Sequence, residues 1–259
     1  MKAGILLLAA TATLQIPAVL PAQAPDYRFS KPMQAGQVLS ISNIDGAVTV
    51  RRASGGTAEV VVTKRVIRGN GDLVQAMLEE TDNGFKVCTV YLERVGERRD
   101  SCSRPSHTGG RREPLEVEMT YQVRLPEGVE LAAGTVDGDI IAENLGAPSR
   151  LATVDGDIRV TGRAPERITT VDGDIDMTID GALPDDLRIS TVDGSVRIAM
   201  AEGRGFTVHA STLDGTLSSD FALTTSGKWG PRAMRGTVGD GRSSIRITTV
   251  DGDVELRRR

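Results

Sequence analysis

Short runs of alternating apolar and polar residues occur along most of the chain, and many of these runs meet an Asp-Gly pair. In residues 167–179, Val171, Ile175 and Met177 share one parity, whereas Thr170 and its polar neighbours take the other. Such alternation is typical of a half-buried β-strand. Because Gly accepts a positive φ and Asp bonds readily to nearby backbone, the Asp-Gly pair predicts a bend. The pattern therefore predicts strands that bend at Asp-Gly, with Val171 on the apolar side.

The motif TVDGDI and its variants recur at a nearly constant interval. The copies lie at residues 42–48, 135–140, 153–158, 170–175, 191–196, 212–217 and 249–254. From Asp137 to Asp214, successive aspartates of the Asp-Gly pairs are 17 to 21 residues apart, and Asp251 follows after 37 more. The longer interval would hold two coils. One strand motif per repeat predicts an all-β, single-chain β-solenoid (β-helix-like) whose coils stack about 4.8 Å apart.

Further strands and one helix are predicted outside the regular coils. The strands alternate at residues 37–51, 57–67, 84–92 and 116–125. The helix is predicted near residues 72–80, where Asp72 can serve as its cap. Leu73, Ala76 and Met77 form its short apolar face. Because it is too short to be stable alone, we expect it to pack beside the coils, cover sheet edges together with the charged chain ends, and leave a monomer.

Composition narrows the choice of fold and partner. Aromatic residues make up only 3% of the 259 residues, and 29 residues are Gly. A core of Val, Ile, Leu, Ala and Thr suits narrow stacked coils better than a sandwich, which usually contains large aromatic anchors. The formal charge of −4 gives no reason to expect nucleic acid as a partner.

The start of the chain has the layout of a signal peptide. A basic residue precedes an apolar run at residues 4–20, and the sequence AQA at 22–24 is a small-x-small cleavage pattern. Cleavage after the first of these alanines is one alternative, and an uncleaved membrane anchor is another. No later run is long and apolar enough to span a membrane. We expect 1–24 to be removed and 25–259 to form one exported solenoid domain, in the periplasm, on the cell surface or secreted.

Cys88 and Cys102 are the two cysteines, and an even pair in an exported protein indicates a disulfide. Two separate thiols are the alternative. A bridge would tie the end of a strand to the loop at residues 93–113, where apolar periodicity stops. Six arginines lie in this loop: Arg94, Arg98, Arg99, Arg104, Arg111 and Arg112. The loop is either a basic contact site for anionic envelope polymers or lipid head groups, or a solvated insertion.

A second set of charges lies in the Asp-Gly-Asp units of four coils. Its members are Asp137, Asp139, Asp155, Asp157, Asp172, Asp174, Asp251 and Asp253. Stacked carboxylates repel by roughly 1 kcal/mol per pair in water, and calcium between coils would relieve that repulsion. The alternative is turn chemistry with counter-charge from Arg159 and Arg197. Because the longer repeat of calcium-binding β-rolls is missing, we expect no metal or other cofactor, with calcium as the alternative.

The residue types that usually carry catalysis form no recognisable motif in this sequence. His107 and His209 belong to no zinc spacing or nucleophile elbow, and the chain has neither a phosphate loop nor a dinucleotide fingerprint. Repeated carboxylates also lack the one distinct, perturbed position that a catalytic site needs. Trp229 lies among Gly and Pro residues, where it either packs over a coil edge or stacks on a ligand. The sequence therefore predicts no catalytic residues.

A family resemblance rests on three features of the chain. These are TYQVRLPEGVELAAGTVDGDI at residues 120–140, the repeated TVDGDI-type coils, and the closing GTVGDGRSSIRITTVDGDVEL. Together they resemble the bacterial putative-adhesin domain-of-unknown-function family over residues 38–256. The resemblance implies a β-solenoid, usually exported or envelope-associated, without established catalytic residues; some relatives are encoded with cell-envelope stress systems. The Arg-rich loop and the Cys pair depart from the family pattern, so no family role is carried over to them.

These observations predict a non-catalytic exported β-solenoid that acts as a cell-envelope scaffold, an adhesin-like protein or a binding module. Its expected partner is a cell-envelope component or an envelope protein. Two alternatives remain, a calcium-dependent carbohydrate- or matrix-binding module and a polysaccharide-active β-helix enzyme. Calcium dependence would distinguish the first alternative, and activity on acidic polysaccharides would distinguish the second.

Overall fold

Short strands that wind between two β-sheets build the described part of the protein. The computed structural model describes residues 26–99, 101–102, 114–227 and 230–259. The strands are β1 (Tyr27–Pro32), β2 (Val38–Ser42), β3 (Val48–Arg52), β4 (Thr57–Arg68), β5 (Val74–Thr81), β6 (Gly84–Tyr91), β7 (Glu116–Leu125), β8 (Glu130–Gly134), β9 (Ile140–Leu145), β10 (Ser149–Ala152), β11 (Ile158–Gly162), β12 (Arg167–Thr169), β13 (Ile175–Ile179), β14 (Asp186–Ser190), β15 (Val196–Met200), β16 (Phe206–Thr212), β17 (Leu217–Ser219), β18 (Thr224–Ser226), β19 (Arg232–Val238), β20 (Ser243–Thr248) and β21 (Val254–Arg258). A 3-10 turn at Gly71–Leu73 is the helical element among these residues. The predicted all-β solenoid is confirmed.

The strands form two sheets that share one hydrophobic core. In the ten-strand sheet the order is β1-β4-β7-β3-β9-β11-β13-β15-β21-β17, and in the eleven-strand sheet it is β18-β19-β16-β20-β14-β12-β10-β8-β2-β6-β5. A typical coil runs from β12 in the eleven-strand sheet, through the Asp-Gly corner at Asp172, to β13 in the ten-strand sheet. Strands of adjacent coils pair in parallel, as β13 does with β11 and β15. The regular coil is therefore two-sided.

The last coil in the sequence is not the last coil in the stack. β20 pairs with β14 and β16, and β21 pairs with β15 and β17. The coil of Asp251 therefore lies between those of Asp193 and Asp214. The prediction of two coils after Asp214 is wrong, because the chain reverses through the antiparallel edge strands β18 and β19 before it re-enters the stack.

Aliphatic side chains in equal register stack into rows through the core. One row places Ile140, Ile158, Ile175, Val196 and Val254 on consecutive strands of the ten-strand sheet. All of these side chains are fully buried, and each burial contributes about 1.5–3 kcal/mol. Such rows fill the narrow space between two sheets without large rings, which accounts for the small number of aromatic residues.

The prediction of a helix near residues 72–80 is wrong. The structure has a 3-10 turn at Gly71–Leu73, capped by Asn70 rather than Asp72, and then strand β5 at Val74–Thr81. β5 pairs antiparallel with β6 along its whole length. A short helix here would leave the edge of β6 without backbone partners, whereas β5 supplies them in sequence. Sheet pairing therefore overrides the weak helical pattern.

The predicted alternation changes phase at the Asp-Gly corner. Ile175 and Met177 are buried as predicted, but Thr170 is 1% exposed and Val171 is 42% exposed. The expectation that Val171 shares their buried side is wrong. The chain passes from one sheet to the other between Thr170 and Ile175. Side chains at even positions therefore point into the core before the bend, and side chains at odd positions point into the core after it.

Antiparallel and short strands lie at both ends of the stack. At one end β1 and β4 flank the ten-strand sheet, and β5 flanks the eleven-strand sheet. Lys31 of β1 and Glu80 of β5 form an ion pair of 2.6 Å between these two edges. At the other end the outermost strands, β17 and β18, have three residues each. Short or charged edge strands oppose pairing with another chain.

Candidate binding surface

The Asp-Gly corners form a ladder along one edge of the solenoid. Parallel bridges join the first aspartates of successive coils in the order Asp45, Asp137, Asp155, Asp172, Asp193, Asp251 and Asp214. The Gly that follows each of them has a positive φ, between 114° and 159°. A Cβ atom on Gly173 would lie 2.2 Å from the carbonyl oxygen of Gly156 in the adjacent coil. Close stacking of the corners and the backbone angle therefore both require Gly.

At six of the seven corners a threonine before the bend is buried and binds the neighbouring coil. The hydroxyl of Thr153 donates to the carbonyl oxygen of Gly138 at 3.0 Å, and that of Thr212 donates to Gly252 at 3.1 Å. The other threonines that make this contact are Thr135, Thr170, Thr191 and Thr249. These hydroxyls satisfy carbonyl groups at a bend, where strand pairing is interrupted. The repeated Thr therefore has a structural role.

The second aspartate of each Asp-Gly-Asp unit is engaged by the protein itself. Asp139 Oδ1 accepts a hydrogen bond from the backbone N–H of Asp157, and Asp157 Oδ1 accepts one from Asp174, both at 2.9 Å. The guanidinium groups of Arg159 and Arg197 lie 2.8 Å from Asp157 and 2.9 Å from Asp174. The second carboxylates of the possible calcium ladder thus already accept backbone hydrogen bonds, and Asp157 and Asp174 also bind arginines.

Hydrogen bonds to the ionised form alter the acidity of two of these carboxylates. Partial burial raises the pKa of Asp174, but the backbone N–H of Ser195 and the guanidinium of Arg197 outweigh it, so the pKa lies below 3.8. The backbone N–H and the hydroxyl of Thr216 lower the pKa of Asp253. Both anions are therefore stabilised by the chain's own groups. Within the described residues, no group of three or more His, Cys, Asp or Glu side chains is placed to hold a metal ion.

The first aspartates accompany a row of exposed aliphatic side chains. Six of these side chains are between 37% and 53% exposed: Ile44, Val154, Val171, Val192, Leu213 and Val250. At one end of the row, partial burial and the carboxylates of Asp137, Glu118 and Glu116 raise the pKa of Asp45. The folded protein therefore disfavours the ionised form of this one corner aspartate.

The first corner uses an asparagine where the other corners use threonine. Asn43 Nδ2 donates to the carbonyl oxygens of Gly46 and Met119, at 2.9 and 2.8 Å. Its Oδ1 accepts from the hydroxyl of Thr89 at 2.7 Å, and Thr89 also hydrogen-bonds the hydroxyl of Tyr121. The neighbouring coil, β6–β7, lacks an Asp-Gly corner, and the longer amide side chain reaches its backbone. Nothing in the motif distinguishes Asn43 in advance.

The predicted disulfide between Cys88 and Cys102 is present, with the two Cα atoms 5.9 Å apart. Cys88 is buried within β6, not at the end of the strand as predicted, in a small cluster with Val90 and Leu92. The bridge therefore attaches the segment after β6 to the side of the eleven-strand sheet.

Much of the predicted basic loop lies outside the described residues. Arg94, Arg98 and Arg99 are described, and Arg99 lies 3.4 Å from Glu97. The predicted site residues and segments outside the described part are Arg104, Arg111, Arg112, His107, Trp229 and the signal peptide at 1–24. The basic contact site in this loop therefore stays a prediction.

The outward face of the ten-strand sheet balances its own charges. Opposite signs alternate across neighbouring strands, as Arg159, Asp176 and Arg197 do on β11, β13 and β15. Arg197 lies 3.4 Å from Asp176, and Arg51 of β3 lies 2.8 Å from Glu143 of β9. Each of these arginines therefore has an acidic neighbour on the same face.

The outward face of the eleven-strand sheet instead carries basic side chains in register on six neighbouring strands. This set is named the arginine row, and it consists of Arg150 (β10), Arg167 (β12), Arg188 (β14), Arg246 (β20), His209 (β16) and Arg235 (β19). All six residues are exposed. At about 4.8 Å between strands, the arginine row is about 24 Å long. It forms a line of guanidinium groups at the strand spacing, in which one place is taken by an imidazole.

Acidic groups balance only part of the arginine row. Arg150 pairs with Glu166 at 2.9 Å, and Arg188 pairs with Asp186 at 2.5 Å. In the part of the chain that the structure describes, three members have no ion-pair partner: Arg167, Arg246 and Arg235. Like charges directly opposite each other on neighbouring strands destabilise a sheet. The arginine row is therefore not explained by folding, and its exposure indicates a binding surface.

A cavity of about 430 Å³ lies beside one end of the arginine row. Arg150, Arg167 and Arg188 line it, together with Arg163. The Nε atom of Arg163 is buried without a hydrogen-bond partner among the described residues. The acidic residues of the lining are Glu166, Asp185 and Asp186. The cavity thus combines several guanidinium groups, one of which has an unused buried donor.

Sequence reasoning misses the arginine row because only strand register aligns its members. A signal exists nonetheless, since the motif R-[IL]-x-T-V-D-G begins at four of them: Arg150, Arg167, Arg188 and Arg246. His209 takes the same place, five residues before Asp214. This position lies on the outward side of each strand. An extended motif therefore encodes both the corner and the charged face.

The chemistry of this face is that of anion binding. Guanidinium groups donate paired N–H groups to carboxylate or phosphate oxygens. Such groups hold an anion in place, but they supply neither a nucleophile nor a general base. Within the described residues, no helix is long and apolar enough to cross a membrane.

The fold and this face define a class of protein, a two-sided β-solenoid of stacked Thr-Val-Asp-Gly coils with one basic face. Residues 39–257 match the family model described as Toastrack DUF4097, so the chain belongs to this domain-of-unknown-function family. The family resemblance expected from the sequence is confirmed. The comparison with curated proteins gives no match.

Solved structures with distant similarity cover most of the chain. One is described as a putative cell adhesion protein from Clostridium sporogenes; it is 10% identical, with 91% of this chain and 100% of that chain covered and a TM-score of 0.46. Another is described as a putative adhesin from Bacteroides fragilis; it is 10% identical, with 90% and 96% covered and a TM-score of 0.30. The family match, rather than these distant likenesses, establishes where the chain belongs.

Proposed function

We propose that the chain is an exported, non-catalytic binding module, adhesin-like in function, that attaches to an anionic component of the cell envelope. The observation that carries the proposal is the arginine row, a set of aligned basic side chains that the fold itself does not use. The signal-peptide pattern at residues 1–24 supports export. The proposed location is therefore the periplasm, the cell surface or the medium next to it.

The contrast between the two outward faces supports binding through the eleven-strand sheet. Arg51 and Arg124 also lie opposite each other on neighbouring strands. However, Arg51 pairs with Glu143 and Arg124 lies 3.7 Å from Glu59. Arg124 shares Glu59 with Arg28, but both Arg51 and Arg124 have an acidic partner, whereas Arg167, Arg246 and Arg235 have none in the described part of the chain. Long-range attraction between such groups and an anionic surface weakens as salt is added.

The proposed binding needs neither catalysis nor a metal. The repeated corner carboxylates occupy equivalent positions, and their second members bind backbone amides of the next coil. A reaction normally needs one distinct and perturbed group rather than a ladder of equivalent ones. We therefore propose attachment that is independent of calcium.

The test is sedimentation of the mature protein, residues 25–259, with isolated cell envelopes. We expect retention at low salt, loss of retention at high salt, and the same retention with calcium or with a chelator. The variant Arg167→Gln/Arg246→Gln should lose most of the retention. The matched control Arg51→Gln/Arg124→Gln removes the same charge from the ten-strand sheet and should be retained like the wild type.

A variant with the six arginines of the loop at 93–113 changed to Ser completes the experiment. Retention that survives in this variant assigns attachment to the arginine row. If the loop variant loses retention and Arg167→Gln/Arg246→Gln is fully retained, the envelope contact lies in the loop and not in the arginine row. If retention is unchanged by salt and by all of these substitutions, the proposal of an anionic target is overturned.

A further inference from the structure

We infer that the arginine row binds a linear acidic polysaccharide that carries one carboxylate on each sugar. The inference rests on the proposed function and gives the chemical class of its ligand. The row offers guanidinium groups on five of its six successive strands, which are about 4.8 Å apart along a straight line. An extended chain of pyranose rings advances by a comparable distance with each sugar, so its sugars can follow the strands. Its carboxylates can then meet the unpaired guanidinium groups of Arg167, Arg246 and Arg235, which lie on every second strand.

The choice of arginine favours carboxylate as the recognised group. A guanidinium is planar and presents two parallel N–H groups that match the two oxygens of a carboxylate. Arg167, Arg246 and Arg235 are exposed and have no ion-pair partner in the described part of the chain. They can therefore bind a ligand without first breaking an internal salt bridge.

The rows on both sides of the arginine row carry mostly small or hydroxyl side chains. On the side of the Asp-Gly corner they are Ala152, Thr169, Ser190, Thr248 and Ser211. On the opposite side they include Ser244, Thr207 and Thr237, together with Asp186, which is paired with Arg188. Small side chains allow a sugar chain to lie flat on the sheet, and hydroxyl groups donate to and accept from sugar hydroxyls. This combination of guanidinium and hydroxyl groups fits an acidic sugar.

The same surroundings disfavour single-stranded nucleic acid. Proteins that bind single strands usually stack the bases on aromatic side chains along a basic groove. The arginine row and the two described rows beside it contain no aromatic residue.

The cavity beside Arg150, Arg167 and Arg188 gives the surface a distinct end. Arg163 lines this cavity, and its buried Nε donor has no partner among the described residues. The Nε of Arg163 is closed to solvent, but a carboxylate seated in the cavity would contact the exposed guanidinium group of Arg167, which has no ion-pair partner among the described residues. The cavity therefore anchors one end of the sugar chain, while the rest lies along the arginine row.

The test uses oligogalacturonates of defined length as probes and measures affinity by titration calorimetry at low salt. Affinity should increase with length until the oligomer covers the row, at about six sugars for six strands spaced about 4.8 Å apart. Arg167→Gln/Arg246→Gln should weaken binding about a hundredfold, about tenfold for each lost charge-assisted hydrogen bond. The matched control Arg51→Gln/Arg124→Gln should change affinity by less than about twofold. Circular dichroism and thermal melting of both variants verify that they fold.

Three further probes separate carboxylate recognition from general attraction. Methyl-esterified oligogalacturonate keeps the sugar chain without its charge and should not bind. Arg167→Lys/Arg246→Lys keeps the charge without the planar fork and should bind more weakly than the wild type. Oligothymidylate of equal charge should bind more weakly than oligogalacturonate. Equal affinity for oligothymidylate, or unchanged affinity in the Lys variant, would overturn the inference.

The failure of this inference differs from the failure of the proposed function. Envelope retention that depends on Arg167 and Arg246, without binding of oligogalacturonate, would overturn the ligand class and leave the attachment function standing. Binding of oligogalacturonate through those arginines, without envelope retention, would support the ligand class and overturn the envelope as the target.

Discussion

The corner glycines bring successive coils together at a distance that no larger residue tolerates. A Cβ atom at any of the corner glycines would lie 2.1 to 2.6 Å from a backbone carbonyl oxygen of the neighbouring coil. For six of these glycines that oxygen belongs to the glycine of another corner, and for Gly46 it belongs to Met119 of β7. A paired backbone oxygen cannot move away as the tip of a flexible side chain would. Single residues thus determine the spacing of the stack, and the buried Thr and the second Asp of each corner satisfy the polar groups of the bend.

Replacement of a corner glycine should therefore be severe. We expect Gly173→Ala to lower the free energy of unfolding by on the order of 4 kcal/mol, because backbone strain adds to an overlap with Gly156. Gly203 also has a positive φ, of 81°, but a Cβ there would meet nothing within 4 Å. Gly203→Ala should thus cost only about 1–2 kcal/mol. Urea unfolding of both variants checks this, and equal losses would contradict the role of close stacking.

A second prediction for a single residue follows from the raised pKa of Asp45. Burial and nearby carboxylates raise its pKa, so Asp45 favours the folded state below the ordinary carboxyl range and loses that contribution as pH rises through the folded pKa. Asp45→Asn imitates the protonated form. We expect it to stabilise the protein at neutral pH by about 0.2–1 kcal/mol, the range for cross-strand charge pairs.

Thermal melting at several pH values measures this effect. The Tm of Asp45→Asn should exceed that of the wild type by up to about 4 °C at neutral pH. The difference should disappear at acidic pH, where the wild-type carboxyl is protonated. A lower Tm for Asp45→Asn at neutral pH would show that the ionised carboxylate makes a stabilising contact.

At the scale of the elements, the β5–β6 hairpin and its disulfide close one end of the eleven-strand sheet. β6 pairs with β2 on one side and with β5 on the other. Cys88 lies in β6, and its partner Cys102 lies 14 residues later, in the segment that leads to β7. The covalent link therefore acts where a long connection separates two strands of one coil.

Removal of this bridge should destabilise the fold without changing it. The chain-entropy model gives about 3 kcal/mol for a closed loop of about 15 residues. We expect a reducing agent to lower the Tm of the wild type by roughly 6–12 °C. Cys88→Ala/Cys102→Ala should have the lower Tm from the start and should not respond to the reducing agent. If reduction leaves the Tm of the wild type unchanged, the bridge has no stabilising role.

At the scale of the whole molecule, the strand order protects the ends of the stack. β20 and β21 lie inside it, and the three-residue strands β17 and β18 lie outermost at that end. At the opposite end, β1 and β5 carry the ion pair of Lys31 and Glu80. We expect these edges to keep the protein monomeric, which light scattering checks. A mass of twice the chain would show that one sheet edge pairs with a second copy.

The thermal stability of the whole stack should also not depend on calcium. The carboxylates of Asp139, Asp157 and Asp174 accept backbone hydrogen bonds from the next coil, so binding of calcium would have to displace those bonds. We expect calcium to leave the Tm of chelator-treated protein unchanged. A Tm that rises steadily with calcium concentration, as ligand binding to the folded state requires, would restore the calcium ladder.

The sequence by itself determined the local features of this protein. The alternating strand predicted at residues 116–125 is β7, and its apolar residues are all buried: Val117, Met119, Tyr121, Val123 and Leu125. The Asp-Gly corners and their interval were equally readable, because a bend and a strand depend on neighbours in the chain. The disulfide between the two cysteines could be inferred from their even number and from the export signal alone.

Only the tertiary structure decided which coils are neighbours and which side chains share a face. The insertion of β20–β21 between earlier coils, the change from helix to strand at Val74–Thr81, and the outward position of Val171 all depend on pairing between distant segments. The arginine row depends on it most, since Arg188 and Arg246 become neighbours through strand register alone. Local patterns specify how each strand is built, whereas the hydrogen bonds between coils specify which strands meet.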